Sequence, residues 1–192
     1  AYQYVRERVR VIGASADADL RPYYAGLRER QALTPGQQYG EALARLQAGE
    51  REAAAGTLIE LSAARQGSPM LEAALGQSLL AAGRPEQALE TLRKALVIAP
   101  RNVPLSVRYA EALMQVGRAK EAHAVLLDVF NNVVPTPEQI RLTALAASSA
   151  GDVGDAYYYM SEYHIASGDL PLSMQQLELA LAAPNLTGVQ RQ

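Results

Sequence analysis

The sequence has no cysteine, no tryptophan, a single phenylalanine (Phe130) and two histidines. Without cysteine there are no disulfides, thiolate metal ligands or thiol nucleophiles, and nothing is said about redox compartment. His123 and His164 stand 41 positions apart, and no HExxH pair is present. A zinc site needs three or four convergent ligands, so both histidines read as packing residues. There is no glycine-rich phosphate loop and no GxSxG elbow. The carboxylates form no recognisable pair, and solvation of helix surfaces accounts for them. No run approaches the ~18 apolar residues of a membrane-crossing helix, and the start lacks the charged-then-apolar pattern of a leader. A net charge of −2 argues against a generic nucleic-acid binder.

What the chain does have is alanine, 35 of 192 residues, which favours helices packed closely through small side chains. Apolar residues make up 49% and charged residues 20%, an ordinary globular balance and not a disordered one. The basic residues are arginines apart from Lys94 and Lys120, which reads as coding bias and not as function. The chain opens at Ala1 without an initiator methionine and stops at "GVQRQ", so we expect a piece of something longer.

Gly49, Gly83, Gly117 and Gly151 recur every 34 residues. Five positions after each comes an alanine (Ala54, Ala88, Ala122, Ala156) and nine after each a large apolar residue (Leu58, Leu92, Leu126, Met160). Twelve after come Leu61, Ala95, Val129 and Tyr163. Such a period means stacked helical hairpins. Each glycine ends one helix in a left-handed conformation, and the +5, +9, +12 spacing lays one buried stripe along the next. Prolines and capping residues punctuate the other junctions, at Thr34-Pro35, Ser68-Pro69, Pro100, Asn102, Pro104 and Pro135-Thr136-Pro137.

This pattern resembles the tetratricopeptide repeat. The best copy, Pro69 to Asn102, carries Leu75-Gly76, Leu79, Gly83, Ala88, Leu92, Ala95 and Pro100 at the family spacing. Val103 to Thr136 keeps Leu113, Gly117, Ala122 and Leu126, with Tyr109-Ala110 in place of Leu-Gly. Pro35 to Ser68 is weaker, with Gln66 where proline is expected, and a last copy reads from Gly154 to Thr187. Gly168 follows Gly151 by 17, half a repeat, so the helix between them could close one hairpin or open the next. One helix near 137–150 is expected to stand outside a standard hairpin. The expected fold is all-α, a tetratricopeptide-repeat α-solenoid of about eleven helices with no sheet. Residues 1–33 would form N-terminal helices linking to an absent upstream domain, 34–187 the repeat array, and 188–192 a truncated tail.

In such an array the first helices line a concave face. Projection of the repeat puts Tyr39, Leu43, Gln47, Ala73, Gln77, Leu80, Val107, Glu111, Met114, Gln115, Arg141, Leu145, Tyr158 and Glu162 there, with packing between repeats as the competing role for the apolar members. The mixture suits an extended or helical peptide. The lysine and asparagine carboxylate clamp of some repeat proteins is missing, its slots holding Ala73, Gln77, Val107 and Glu111. Tyr157, Tyr158 and Tyr159 are consecutive on a helix, point three ways and make no single stacking platform; one should pack in the core, one line the groove and one be partly exposed. The opening "VRERVRVI", with Glu7 among its arginines, reads as a domain-docking helix in preference to a membrane-surface one.

Three segments, "YQYVRERVRVI", "DLRPYYAGL" and "DAYYYMSEYHIASGDLPLSMQQLELAL", resemble the C-terminal part of periplasmic M48-type zinc metalloproteases of Gram-negative bacteria, the β-barrel assembly-enhancing proteases. The resemblance implies a periplasmic repeat domain behind an upstream HExxH domain that holds the zinc, with no cofactor in this piece. It also implies contact with the outer-membrane barrel assembly machinery and with stalled barrel substrates, including the lipopolysaccharide-transport barrel. No catalytic residue maps onto this chain. A stand-alone adaptor in envelope, secretion or pilus assembly is the alternative, and a substrate-selecting arm of a transferase or other hydrolase a third.

Overall fold

A computed structural model describes residues 2–15, 18–65 and 67–184. Gln66 and the tail at 188–192 lie outside the described residues. The described residues contain eleven helices and no strand: α1 (Tyr2–Ile12), α2 (Arg21–Arg30), α3 (Pro35–Gln47), α4 (Arg51–Ala64), α5 (Pro69–Ala81), α6 (Pro85–Ile98), α7 (Val103–Gln115), α8 (Ala119–Phe130), α9 (Pro137–Ala150), α10 (Val153–Ala166) and α11 (Leu170–Leu181). They fall into two compact units, 1–112 and 113–192, with the boundary inside α7.

The periodic glycines make the turns. Gly49, Gly83, Gly117, Gly151 and Gly168 have φ between 71° and 84°, a region that a side chain would strain. Around each, two hydrogen bonds close the helix end. At Gly83, the Arg84 N–H donates to the Leu79 carbonyl at 2.9 Å and the Gly83 N–H to the Leu80 carbonyl at 3.1 Å. The same pair recurs at the other four turns. This is the Schellman closure, which satisfies two orphan carbonyls while reversing the chain. Helix starts are fixed as well. Thr34 and Gln37 form a reciprocal capping box ahead of Pro35, and the Thr136 N–H donates to Gln139 Oε1 at 2.9 Å ahead of Pro137.

In the first unit α3 packs on α4, α4 on α5 and α5 on α6. Ala54, Ala88, Leu58 and Leu92 are fully buried, as the +5 and +9 positions require. Gly76 on α5 faces Leu92, so a Cβ there would lie 2.6–2.7 Å from three side-chain atoms of Leu92. Because Leu92 is itself fully buried, it has nowhere to retreat.

α1 and α2 pack on α3 around a buried carboxylate. Glu7, with no exposed surface, accepts from Tyr24 Oη at 2.9 Å, from Arg6 Nε at 3.1 Å and from Arg10. A charge buried this way is tolerable only because each oxygen is paired. Burial, then the Glu7 hydrogen bond and charge, hold the Tyr24 phenol well above the ordinary tyrosine range, with Arg10 opposing. Burial likewise raises Tyr39.

In the second unit α9 packs on both α8 and α10, and α10 on α11. The expectation that the helix near 137–150 stands outside a hairpin is corrected here: α9 reverses into α10 through the Gly151 turn. α10 then reverses into α11 through Gly168, so one helix serves two hairpins. Its packing follows that double duty. Ala156, Met160 and Tyr163, the expected buried stripe, are half-buried, while Gly154 and Ser161 are buried.

We expect Gly76→Ala and Ala88→Leu each to lose about 1–3 kcal/mol in urea denaturation through overpacking. A pH effect follows from Tyr24 and Tyr39. Their folded-state pKa values are raised, so the stability they contribute is complete below the unfolded value of about 10 and lost as pH rises above it. The urea midpoint should fall above pH ~10, and less steeply in Tyr24→Phe.

Candidate protein-interaction surfaces

The residues projected onto the concave face divide sharply by burial. Tyr39 is fully enclosed, its ring edge-on to Tyr4 of α1 at 5.3 Å between centroids, with its hydroxyl accepting from Arg8 Nη1 at 3.4 Å. Leu43, Ala73 and Leu80 are also buried. These four are packing residues, and Tyr39 is so because α1 lies over the part of α3 that carries it. Gln47 is exposed and donates to the Val11 carbonyl at 3.4 Å. Gln77, Val107, Glu111 and Met114 are half-buried and Gln115 exposed. Glu111 is held by Arg108 at 2.7 Å. In the second unit Arg141, Leu145 and Tyr158 are exposed and Glu162 half-buried. Burial, with Glu162 and Asp155 nearby, raises the Tyr158 phenol.

None of the three consecutive tyrosines enters the core. Tyr159 is half-buried, its ring edge-on to Tyr158 at 5.1 Å and to His123 at 6.4 Å. Burial, followed by Asp155, pushes its phenol up to about 12. His164 is half-buried beside Tyr163, with ring centroids 5.5 Å apart.

A concavity in the first unit lies elsewhere, between α4 and α6 and over α5. It has a volume of about 680 Å³. Ile59, Ala63, Leu75, Leu79, Ala95 and Ile98 give it an apolar lining, and Glu72, Arg84, Glu90 and Lys94 supply charges of both signs. Ser62 Oγ donates to Glu72 Oε1 at 2.6 Å and Lys94 pairs with Glu90 at 2.6 Å. Such an apolar trough with convergent polar groups is the form of a ligand or peptide site. Projection onto first helices missed it because most of its walls are second helices. The signal was present in the sequence: Ile59 and Ile98 are apolar at positions outside the +5, +9, +12 stripe, and they remain 39% and 70% exposed.

Comparison with known proteins fits this geometry. A tetratricopeptide-repeat family model matches residues 79–146. No curated protein matches the chain. Among solved structures, TTC0263, a thermophilic tetratricopeptide-repeat protein of Thermus thermophilus, is 21% identical, covers 94% of this chain and 98% of its own, and superposes with a TM-score of 0.71. YrrB, a tetratricopeptide-repeat protein with an unusual peptide-binding site, is 14% identical over 82% of this chain and 81% of its own, with a TM-score of 0.62. A tetratricopeptide-repeat protein from Parabacteroides merdae is 11% identical over 97% and 77%, with a TM-score of 0.61. The chain is thus an all-helical repeat protein of stacked hairpins. Residues 79–146 match the tetratricopeptide-repeat model, and the chain shares the fold of solved tetratricopeptide-repeat proteins.

Burial separates two tyrosines that the repeat projection treated alike. Tyr39→Ala should cost about 3–5 kcal/mol in denaturant unfolding, the scale of a buried aromatic truncation. Tyr158→Ala, at a 45% exposed position, should stay within about 0.5–1 kcal/mol of the parent.

Proposed function

We propose that the chain is a non-catalytic interaction module that captures extended or helical peptide segments. The observation that carries this is the α4–α6 groove, an apolar trough about 680 Å³ in volume edged by carboxylates and by Arg84 and Lys94. Both strand-like and helical peptides can bury alternate or i, i+3, i+4 side chains in such a trough. Arg141, Leu145 and Tyr158 are exposed on the other unit and offer apolar and cationic groups for a second contact.

The finer reading we propose is recruitment: the module brings outer-membrane barrel assembly factors or misassembled barrel substrates to a periplasmic zinc metalloprotease domain of the same parent chain. What supports it is the likeness of the "YQYVRERVRVI", "DLRPYYAGL" and "DAYYYMSEYHIASGDLPLSMQQLELAL" segments to the repeat region of that protease family. A stand-alone adaptor is the second reading, and it is favoured by one observation. The match to TTC0263, described as a tetratricopeptide-repeat protein, takes in 98% of that solved chain.

The gene upstream of Ala1 separates the two readings. An upstream HExxH and leader support recruitment, and their absence overturns it. The module itself is tested by photo-crosslinking from Ile98 and from Tyr158 in cells expressing the parent gene. Recovered barrel proteins or assembly factors are expected. Ile98→Glu and Tyr158→Ala should each reduce their capture about fivefold or more, the loss of ~1 kcal/mol of interface contact, with helicity and melting unchanged.

A further inference from the structure

The second unit contains a cluster that the peptide-capture reading does not use. His123 projects from α8 toward the start of α10 and is 7% exposed. Its Nε2 has no hydrogen-bond partner and lies 3.4 Å from Asp155 Oδ2. Asp152, the N-cap of α10, stands beside them, and one donor atom from each of the three residues lies within 4.8 Å of the others. A buried imidazole nitrogen aimed at carboxylate oxygens without a hydrogen bond is an expensive arrangement to leave as it is.

We propose that His123, Asp152 and Asp155 bind one divalent transition-metal ion of the zinc type. The donor set decides the class of ion. One imidazole nitrogen and two carboxylate oxygens suit zinc, cobalt or manganese, whereas magnesium and calcium call for oxygens alone. The scale fits as well. Ligands about 2.0–2.1 Å from a tetrahedral zinc stand about 3.4 Å apart, which is already the separation of His123 Nε2 and Asp155 Oδ2. Asp152 is half-buried, and its donor atom lies within 4.8 Å of those of the other two.

The fold prepares the ligands. Asp152 Oδ1 accepts the Asp155 N–H at 3.1 Å, which orients the Asp152 carboxylate and leaves its other oxygen for the ion. Both carboxylates, Asp152 at the N-cap and Asp155 in the first turn, stand at the positive end of α10. Tyr159, edge-on to His123, walls the imidazole from one side. Three protein ligands leave one position for water. The bound ion would tie α8 to the start of α10, two elements that both pack on α9, and so stiffen the second unit. This inference stands apart from the peptide-capture reading and does not depend on it.

The test is calorimetric titration of the metal-stripped chain with Zn²⁺, with Co²⁺ as the spectroscopic probe. One saturable equivalent is expected, together with the visible absorption of a tetrahedral Co²⁺ centre and a rise in Tm on loading. His123→Gln and Asp155→Asn should each weaken binding at least about tenfold, while His164→Gln should leave it unchanged. As the chain has only two histidines, NMR of the unmutated protein gives an arm that needs no ligand variant: Zn²⁺ should perturb the His123 imidazole and spare His164. Absence of a saturable single equivalent, equal affinity in His123→Gln, or an undisturbed His123 imidazole would overturn the proposal.

Discussion

The fold depends on the reversal of the chain at a residue with no side chain. Five glycines hold φ between 71° and 84° and close the preceding helix with the same two hydrogen bonds. An L residue in that region costs roughly 1 kcal/mol or more. Each reversal sets the angle and offset at which the next helix leaves, and therefore which of its residues meet the previous helix. The +5, +9, +12 stripe is a consequence of the turn and not an independent feature. That is why the glycine interval and the buried positions share one period.

Given that geometry, close approach is achieved by removing side-chain volume. In the first unit the room is made by Gly76 opposite Leu92, by Ala54 and by Ala88. In the second it is made by Ala144, Ala146 and Ala147 on α9, Gly154 and Ser161 on α10, and Ser173 and Ala180 on α11. The high alanine content serves this packing as much as helix propensity. The exception is the α1–α2–α3 contact, where polar groups fill the space. Glu7 is buried there with Tyr24, Arg6 and Arg10 as partners. Gly40 leaves room for Tyr24 where any Cβ would collide with its hydroxyl.

Those facts fix how much could be read from the residues alone. The turns, the repeat class and the buried stripe were legible from Gly49, Gly83 and Gly117 onward, because local backbone chemistry determines them. The hairpin role of α9 was not. The half-period step from Gly151 to Gly168 makes α10 answer to two registers at once, and a single-register projection misplaces Met160 and Tyr163. Tyr39 was misread for a different reason. Its place on a first helix says nothing about whether another helix lies above it, and the covering by α1 is a tertiary fact carried by Tyr4 and Glu7. The α4–α6 groove escaped because the projection considered first helices, although Ile59 and Ile98 already broke the polar pattern of their exposed faces.

The misplaced residues share a physical lesson about where function sits on a repeat scaffold. Positions that obey the period are committed to the fold: burial of Leu58, Leu92 and Leu126 leaves nothing for a partner. Freedom to bind therefore resides where the period is broken or unused. Ile98 is apolar and 70% exposed outside the stripe, and Tyr158 is 45% exposed on the helix that answers to two registers. His123 is a polar group next to Ala122 on an otherwise apolar buried face of α8. A scaffold whose turns are held by backbone hydrogen bonds tolerates such departures at exposed positions, because the turns do not depend on those side chains. The same reasoning orders the two units. The first keeps its register through α4, α5 and α6 and concentrates its departures in one trough. The second breaks register at α10 and gathers its aromatic, carboxylate and imidazole groups around that break.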